Sequence, residues 1–214
     1  MPLYKEIVCN ENAKLYLWKI TEEIEFFKHA VLLKDVSQKR VDAMKSESHQ
    51  KGFLAVRMLL QHVGYTDFDL YYDAFGKPHL SDGKCISISH SHSFSAIAIS
   101  DQPIGLDVEQ VKEKVLKIAS RFMDVSHLEN LSDAEKMKKA TVIWGIKESI
   151  FKIKNETGIS FPKHIFEEEF NLESKKTIAQ LQFNAKTENF NVVFDSVEEY
   201  IYVCAFEVDP NFLQ

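Results

Sequence analysis

The chain has 214 residues, 45% hydrophobic and 27% charged, with a formal net charge of −6. This is long enough for a real core, as one large domain or two small intertwined ones, while the acidic balance argues against general nucleic-acid binding, which needs a basic surface to exchange for counterions. Cys9, Cys85 and Cys204 are widely spaced with no CxxC pair, which argues against a disulfide framework or thiolate metal site. The opening residues lack a signal-peptide core and no apolar run approaches membrane-spanning length, so a cytoplasmic protein that does not enter a membrane is expected.

Residues 14–20 (KLYLWKI) predict a strand, and Thr21 followed by Glu22 and Glu23 marks a helix start, with acids in the positively polarised first turn. A long helix is predicted over about 39–63, ended by Gly64. Strands follow at 68–72 (FDLYY), 86–89 and 96–100, with Gly76-Lys77-Pro78 as the turn after the first. Residues 103–109 (PIGLDVE) predict a strand. The stretch 111–122 predicts an amphipathic helix, because Val111, Val115, Ile118 and Phe122 recur at helical spacing opposite Lys112, Lys114, Lys117 and Arg121. A second long helix is predicted over 133–155, then strands near 178–183, 190–196 and 200–207. Each half has one long helix followed by about three strands, and this segregation predicts an α+β fold.

Three stretches carry chemistry. In Asp107-Val108-Glu109 the strand pleat puts both carboxylates on one face. Two such groups repel unless a cation lies between them, and oxygen ligands alone favour a hard ion such as Mg²⁺. The bland reading is a strand end with two solvated acids. In WGIKESIFK (144–152), Trp144, Glu148 and Lys152 share one helix face, where Glu148 and Lys152 could equally form a plain surface ion pair. Between the two strand runs at 86–100, His90 with Ser89 and Ser91 offers donors suited to phosphate; His90-x-His92 could hold zinc only with a third ligand. Three carboxylates for a hard metal, with His and Lys for phosphate charge, suit phosphoryl transfer, and there is no Walker GxxxxGK[ST] motif.

GKPHL, SISHSHS, IGLDVE and WGIKESIFK, in that order and spacing, resemble the 4'-phosphopantetheinyl transferases of the monomeric surfactin-synthetase type, and the resemblance extends over roughly residues 35–160. It implies a pseudo-twofold pair of similar α+β halves, 1–107 and 108–214, forming one intertwined unit with the active site in the cleft between them. It also implies a reaction of the holo-[acyl-carrier-protein] synthase type: transfer of 4'-phosphopantetheine from coenzyme A to a serine of an apo acyl or peptidyl carrier protein, releasing 3',5'-ADP. On that resemblance Asp107, Glu109 and Glu148 bind Mg²⁺, and Glu148 takes the serine proton. Ser89 and His90 contact coenzyme A phosphates, and Lys152 stabilises charge on the leaving group. Lys77, Lys147 and Arg57 are further coenzyme A contacts, Arg57 at the 3'-phosphate. His92 is a loop residue.

The sequence departs from the family pattern at Gly145, where Ser, Thr or Cys is usual, at His127, where many relatives have Glu, and at Gln50 and Gln61, where basic residues are common. Gly145 and His127 leave room for a weak member that binds coenzyme A or a carrier without transfer, while Gln50 and Gln61 bear on the 3'-phosphate contacts. A metal-dependent phosphoester hydrolase using His90, His92 and Asp107 is the other alternative. The basic face of 112–121, with Lys136, Lys138 and Lys139, is either a steering surface for an acidic carrier or a solvated face.

Overall fold

A computed structural model describes residues 3–208. The fold is mixed α+β and divides into two compact units, Met1–Asp101 and Gln102–Gln214. The strand carrying Asp107 pairs along its whole length with a strand near residue 200, within the second unit.

In the first unit an antiparallel sheet has the order β1-β2-β6-β5, with β1 Leu3–Asn10, β2 Ala13–Lys19, β5 Cys85–Ser91 and β6 Phe94–Ser100. Helices α1 (Ile24–Ala30), α2 (Asp35–Ala43) and α3 (Glu47–His62) follow β2, and a small ladder pairs β3 (Leu70–Tyr72) with β4 (Pro78–Leu80). Leu54, Leu59 and Leu60 of α3 are buried in a core with Trp18, Phe27, Leu70 and Ile97. β1 was not legible beforehand: as an outer strand it is mostly exposed, so it carries little of the apolar alternation that marks a strand.

The single helix expected over 39–63 is two helices, because Met44 and Ser46 adopt extended backbone. The Gln50 side chain spans the break, its amide donating to the carbonyls of Val41 at 3.2 Å and Met44 at 2.9 Å at the end of α2. Gln61 does the same for α1, donating to the Ala30 carbonyl at 3.3 Å. Both glutamines where a basic residue was expected are thus helix-end donors.

The second unit is a five-stranded antiparallel sheet, β7-β11-β10-β9-β8, of β7 Ile104–Gln110, β8 Ile165–Glu167, β9 Lys176–Phe183, β10 Lys186–Val197 and β11 Tyr200–Glu207. Across it lies α5, Asp133–Lys154, which starts at a capping box formed by Ser132 and Glu135 and stops where Asn155 turns left-handed at φ 50°. Ile143, Ile146 and Ile150 of α5 join Phe122, Leu181, Phe190 and Val203 in one core. The amphipathic helix expected over 111–122 shrinks to α4, Lys114–Ile118, and a 3₁₀ turn at Ala119–Arg121. Val111 stays out of it because its N–H donates to the Glu199 carbonyl at 2.9 Å, prolonging the β7–β11 pairing. A short helix α6, Phe161–His164, leads into β8, a three-residue strand too brief to show a period.

Candidate active site

The site begins with two glycines. A Cβ on Gly105 of β7 would stand 1.9 Å from the Ser149 carbonyl oxygen of α5, so no other residue lets strand and helix approach this closely. A Cβ on Gly145 would meet Val203 Cγ2 at 2.5 Å and reach within 3.8 Å of Asp107 Oδ2. Gly145, unusual for the family pattern, is the residue that lets β11 and the Asp107 carboxylate come up against the helix. Ser149 Oγ completes the seam by donating to the Val203 carbonyl at 3.1 Å.

Within that seam the structure brings together three of the expected residues. Asp107 is buried at 4% exposure, and its Oδ1 accepts from Lys152 Nζ at 2.9 Å. The same ammonium donates to the Leu106 carbonyl at 2.7 Å. Glu148, one turn before Lys152, is half-buried. Burial, and next the negative charge of Asp107, push its carboxyl above the usual glutamate range, while Lys152 pulls it back. A carboxyl with a raised pKa beside a second carboxylate is a group poised to take a proton or to share a cation.

Glu109, two residues along β7, is half-buried and borders a cleft of about 230 Å³ lined also by Gln110, Lys112, Thr141 and Trp144. Among the described residues, no three His, Cys, Asp or Glu side chains form a group that could hold a metal by themselves. The donor set still suits Mg²⁺, which takes one or two carboxylates and fills its remaining positions with water and phosphate oxygens. It does not suit zinc, which wants three or four protein ligands rich in His and Cys.

Ser89, His90, His92 and Lys77 of the first unit fall at two places. His90 is exposed at the end of β5, its ring 6.5 Å from that of His49 on α3, and Ser89 beside it is buried. His92 occupies the β5–β6 turn with φ 50°, a loop position. Lys77 lies in the β3–β4 turn, which Asp73 shapes: one carboxylate oxygen accepts from the N–H groups of Phe75 at 2.9 Å and Lys77 at 3.0 Å, and the other lies 3.1 Å from His79 Nε2.

Two further residues expected to contact coenzyme A, Arg57 and Lys147, bond within the protein. Arg57 is buried at 2% exposure, its Nε donating to Asp67 Oδ1 at 2.9 Å and its guanidinium stacked 3.4 Å over the Phe53 ring. Asp67 also accepts from Ser37 Oγ and the Lys34 N–H, both at 3.0 Å, so Arg57 belongs to a knot joining α2, α3 and the turn before β3. Lys147 is likewise buried, with its ammonium donating to the Ile165 carbonyl and to Glu167 of β8. Burial lowers its pKa against the opposing pull of Glu167. Helical spacing explains the separation: Lys147 is one residue, about 100° of rotation, from Glu148 and so faces another way. Sequence reasoning missed Asp67 and Glu167, because each meets its partner only through tertiary folding. Of the basic surface, Lys139 is buried under the Phe170 ring at 5.2 Å, whereas Lys112, Lys114, Lys117, Arg121 and Lys138 are exposed and Lys136 is half-exposed.

The site thus pairs a buried aspartate with a half-buried lysine beside a half-buried glutamate, on a helix laid against an antiparallel sheet. Residues 103–205, which include the whole seam, match the model of the 4'-phosphopantetheinyl transferase superfamily. The chain is 29% identical over 132 residues to the 4'-phosphopantetheinyl transferase Sfp of Bacillus subtilis, covering 57% of this chain and 58% of that one. It is 32% identical over 81 residues to the 4'-phosphopantetheinyl transferase gsp of Aneurinibacillus migulanus, covering 36% and 34%. To the 4'-phosphopantetheinyl transferase ffp of Bacillus subtilis it is 29% identical over 143 residues, covering 64% and 57%. The matched stretches thus span between a third and three-fifths of these relatives' lengths.

Proposed function

We propose that the chain transfers 4'-phosphopantetheine from coenzyme A to a serine hydroxyl of an apo acyl or peptidyl carrier protein, as an enzyme of the surfactin-synthetase type. The serine oxygen forms a bond to the phosphorus that bears pantetheine, the bond from that phosphorus to the departing 3',5'-ADP breaks, and the serine proton leaves to a base. Glu148 is that base, and burial beside Asp107 suits it to hold a proton. Lys152, held against Asp107 and the Leu106 carbonyl, fixes positive charge where the diphosphate reacts. Asp107 and Glu148, with Glu109 along the same strand face, are the residues that would hold Mg²⁺, whose contribution when bound is to neutralise phosphate charge. Ser89, His90 and Lys77 of the first unit are assigned to the phosphates of coenzyme A. Two similar α+β halves, a monomeric state and a cytoplasmic location belong to the same reading; among the described residues no helix is long and apolar enough to cross a membrane.

The observation that carries the reading is the Asp107–Lys152 pair with Glu148 beside it, inside the segment that matches the superfamily. Gly145 and His127, the departures that leave room for a member that binds without transfer, each have structural partners here, Val203 and Glu167, and so do not favour that reading. The deciding experiment incubates a panel of apo carrier proteins with this protein, coenzyme A and Mg²⁺, and reads intact mass. A gain of one phosphopantetheinyl group on at least one carrier is expected. No gain on any carrier, alongside measurable coenzyme A binding, would leave a binding protein in place of an enzyme.

A further inference from the structure

Helix α5 is held at both edges of its sheet, and the second hold lies away from the reacting groups. β7 and β8 are the two outermost strands of the five. At β7 the helix is fastened by the Gly105–Ser149 approach and by Lys152 on Asp107 and the Leu106 carbonyl. At β8 it is fastened by Lys147, whose ammonium donates to the Ile165 carbonyl and to Glu167 Oε2. The side chains of both partners are 3% exposed. The other oxygen of Glu167 lies 3.2 Å from His127 Nδ1, on the 3₁₀ turn Val125–Leu128 that precedes α5. A helix held along one side can still roll about its axis. Holds at opposite edges of a sheet remove that freedom, and roll is the motion that would swing Glu148 away from Asp107.

We infer that Glu167, through Lys147 and with His127 behind it, is a positioning residue that sets the roll of α5 and thereby the aim of Glu148. The inference rests on the transferase reading above and adds to it a role for Lys147 that is not contact with coenzyme A. Reacting groups must be held closely, and a displacement of about 1 Å can lower a rate by roughly a hundredfold. The lever is plain in the geometry, since residues 147 and 148 are adjacent on a rigid helix.

The test replaces both charges with apolar side chains of similar size, Lys147→Met with Glu167→Leu, so that no unpaired charge is left buried. Melting temperature checks that the fold survives. Steady-state kinetics on an accepted apo carrier should then show kcat down by about a hundredfold with the KM for coenzyme A unchanged. The single variants Glu167→Gln and His127→Gln should show the same sense of change, smaller for His127→Gln. A raised KM for coenzyme A with kcat intact would overturn the inference and return Lys147 to the substrate contacts. Wild-type kcat in a folded double variant would also overturn it, leaving the pair a matter of stability alone. Hydrogen exchange over residues 144–152 is read in parallel and needs no turnover. Faster exchange there in the double variant is expected, and unchanged exchange would overturn the anchor. If the wild-type protein modifies no carrier, the transferase reading fails on its own, and the exchange result still decides whether the anchor exists.

Discussion

Glu148 is where the structure turns a common residue into a particular one. A glutamate four residues before a lysine on a helix is ordinary, and its surroundings make this one unusual: burial and the Asp107 charge favour its protonated form. Glu148→Gln keeps the shape and removes the acceptor, so transfer should fall by roughly 10²- to 10⁴-fold with the circular dichroism spectrum unchanged, measured by carrier labelling. Tyr65 permits a second prediction. Burial, then its hydrogen bond to Asp82 at 2.7 Å, raises its pKa from 10.0 to about 12. The folded state therefore holds the phenol proton more tightly than the unfolded state does. That stabilisation is complete below pH 10 and is lost as pH climbs from 10 towards about 12. Tyr65→Phe should be less stable than wild type at neutral pH, and the difference should shrink across that alkaline window in denaturant titrations.

At the scale of elements, the most consequential packing is α5 against β7. Gly105→Ala would place a methyl carbon 1.9 Å from a main-chain oxygen, which a side-chain rotation cannot relieve. Either strand or helix must shift, and overpacking of this kind costs about 1–3 kcal/mol or more. Reduced stability and lost transfer together are the expected result, measured by urea unfolding and carrier labelling. At the other end of α5, Ser132→Ala removes the capping box and should cost about 1 kcal/mol with the site intact. How much of this was legible follows from where each signal resides. The extent of α5 was readable, 133–155 expected and Asp133–Lys154 found, because helix-forming pattern is a local property of the chain. The split between α2 and α3 was not, because the Gln50 bonds that span it look in sequence like any polar helix position. Asp107, Glu148 and Lys152 were readable as a set only through motif order, and Glu167 not at all: it lies 20 residues beyond Lys147 on a strand too short to show a pattern.

For the molecule as a whole, charge is the property through which the proposed carrier and Mg²⁺ would act. The net charge of −6 is unfavourable for an acidic carrier, so any favourable approach has to use a local basic surface. Lys112, Lys114 and Arg121 are exposed, while Lys117 is partly offset by Glu113 at 3.3 Å. If these residues steer the carrier, the KM for carrier should rise with ionic strength, and Lys112→Glu with Lys114→Glu should flatten that dependence. A KM insensitive to salt would reduce the surface to a solvated face. Chelation supplies a separate check: EDTA should abolish transfer and added Mg²⁺ restore it, with melting temperature little changed, since both units have apolar cores that owe nothing to a cation.

What the sequence determined by itself was the chemistry on offer and the order in which it comes: an α+β chain, paired carboxylates on a strand, a glutamate and lysine on one helix face, and a histidine at a strand end. Those properties are local, set by periodicity and by neighbours within a few residues, and a chain displays them openly. Tertiary structure alone decided which partner each buried charge has. Arg57 and Lys147 have the residue type a phosphate site wants, yet each is buried against a carboxylate brought from elsewhere in the chain, Asp67 and Glu167. A buried cation must be compensated within the protein, and the identity of its partner is a fact of folding in three dimensions that no spacing along the chain records.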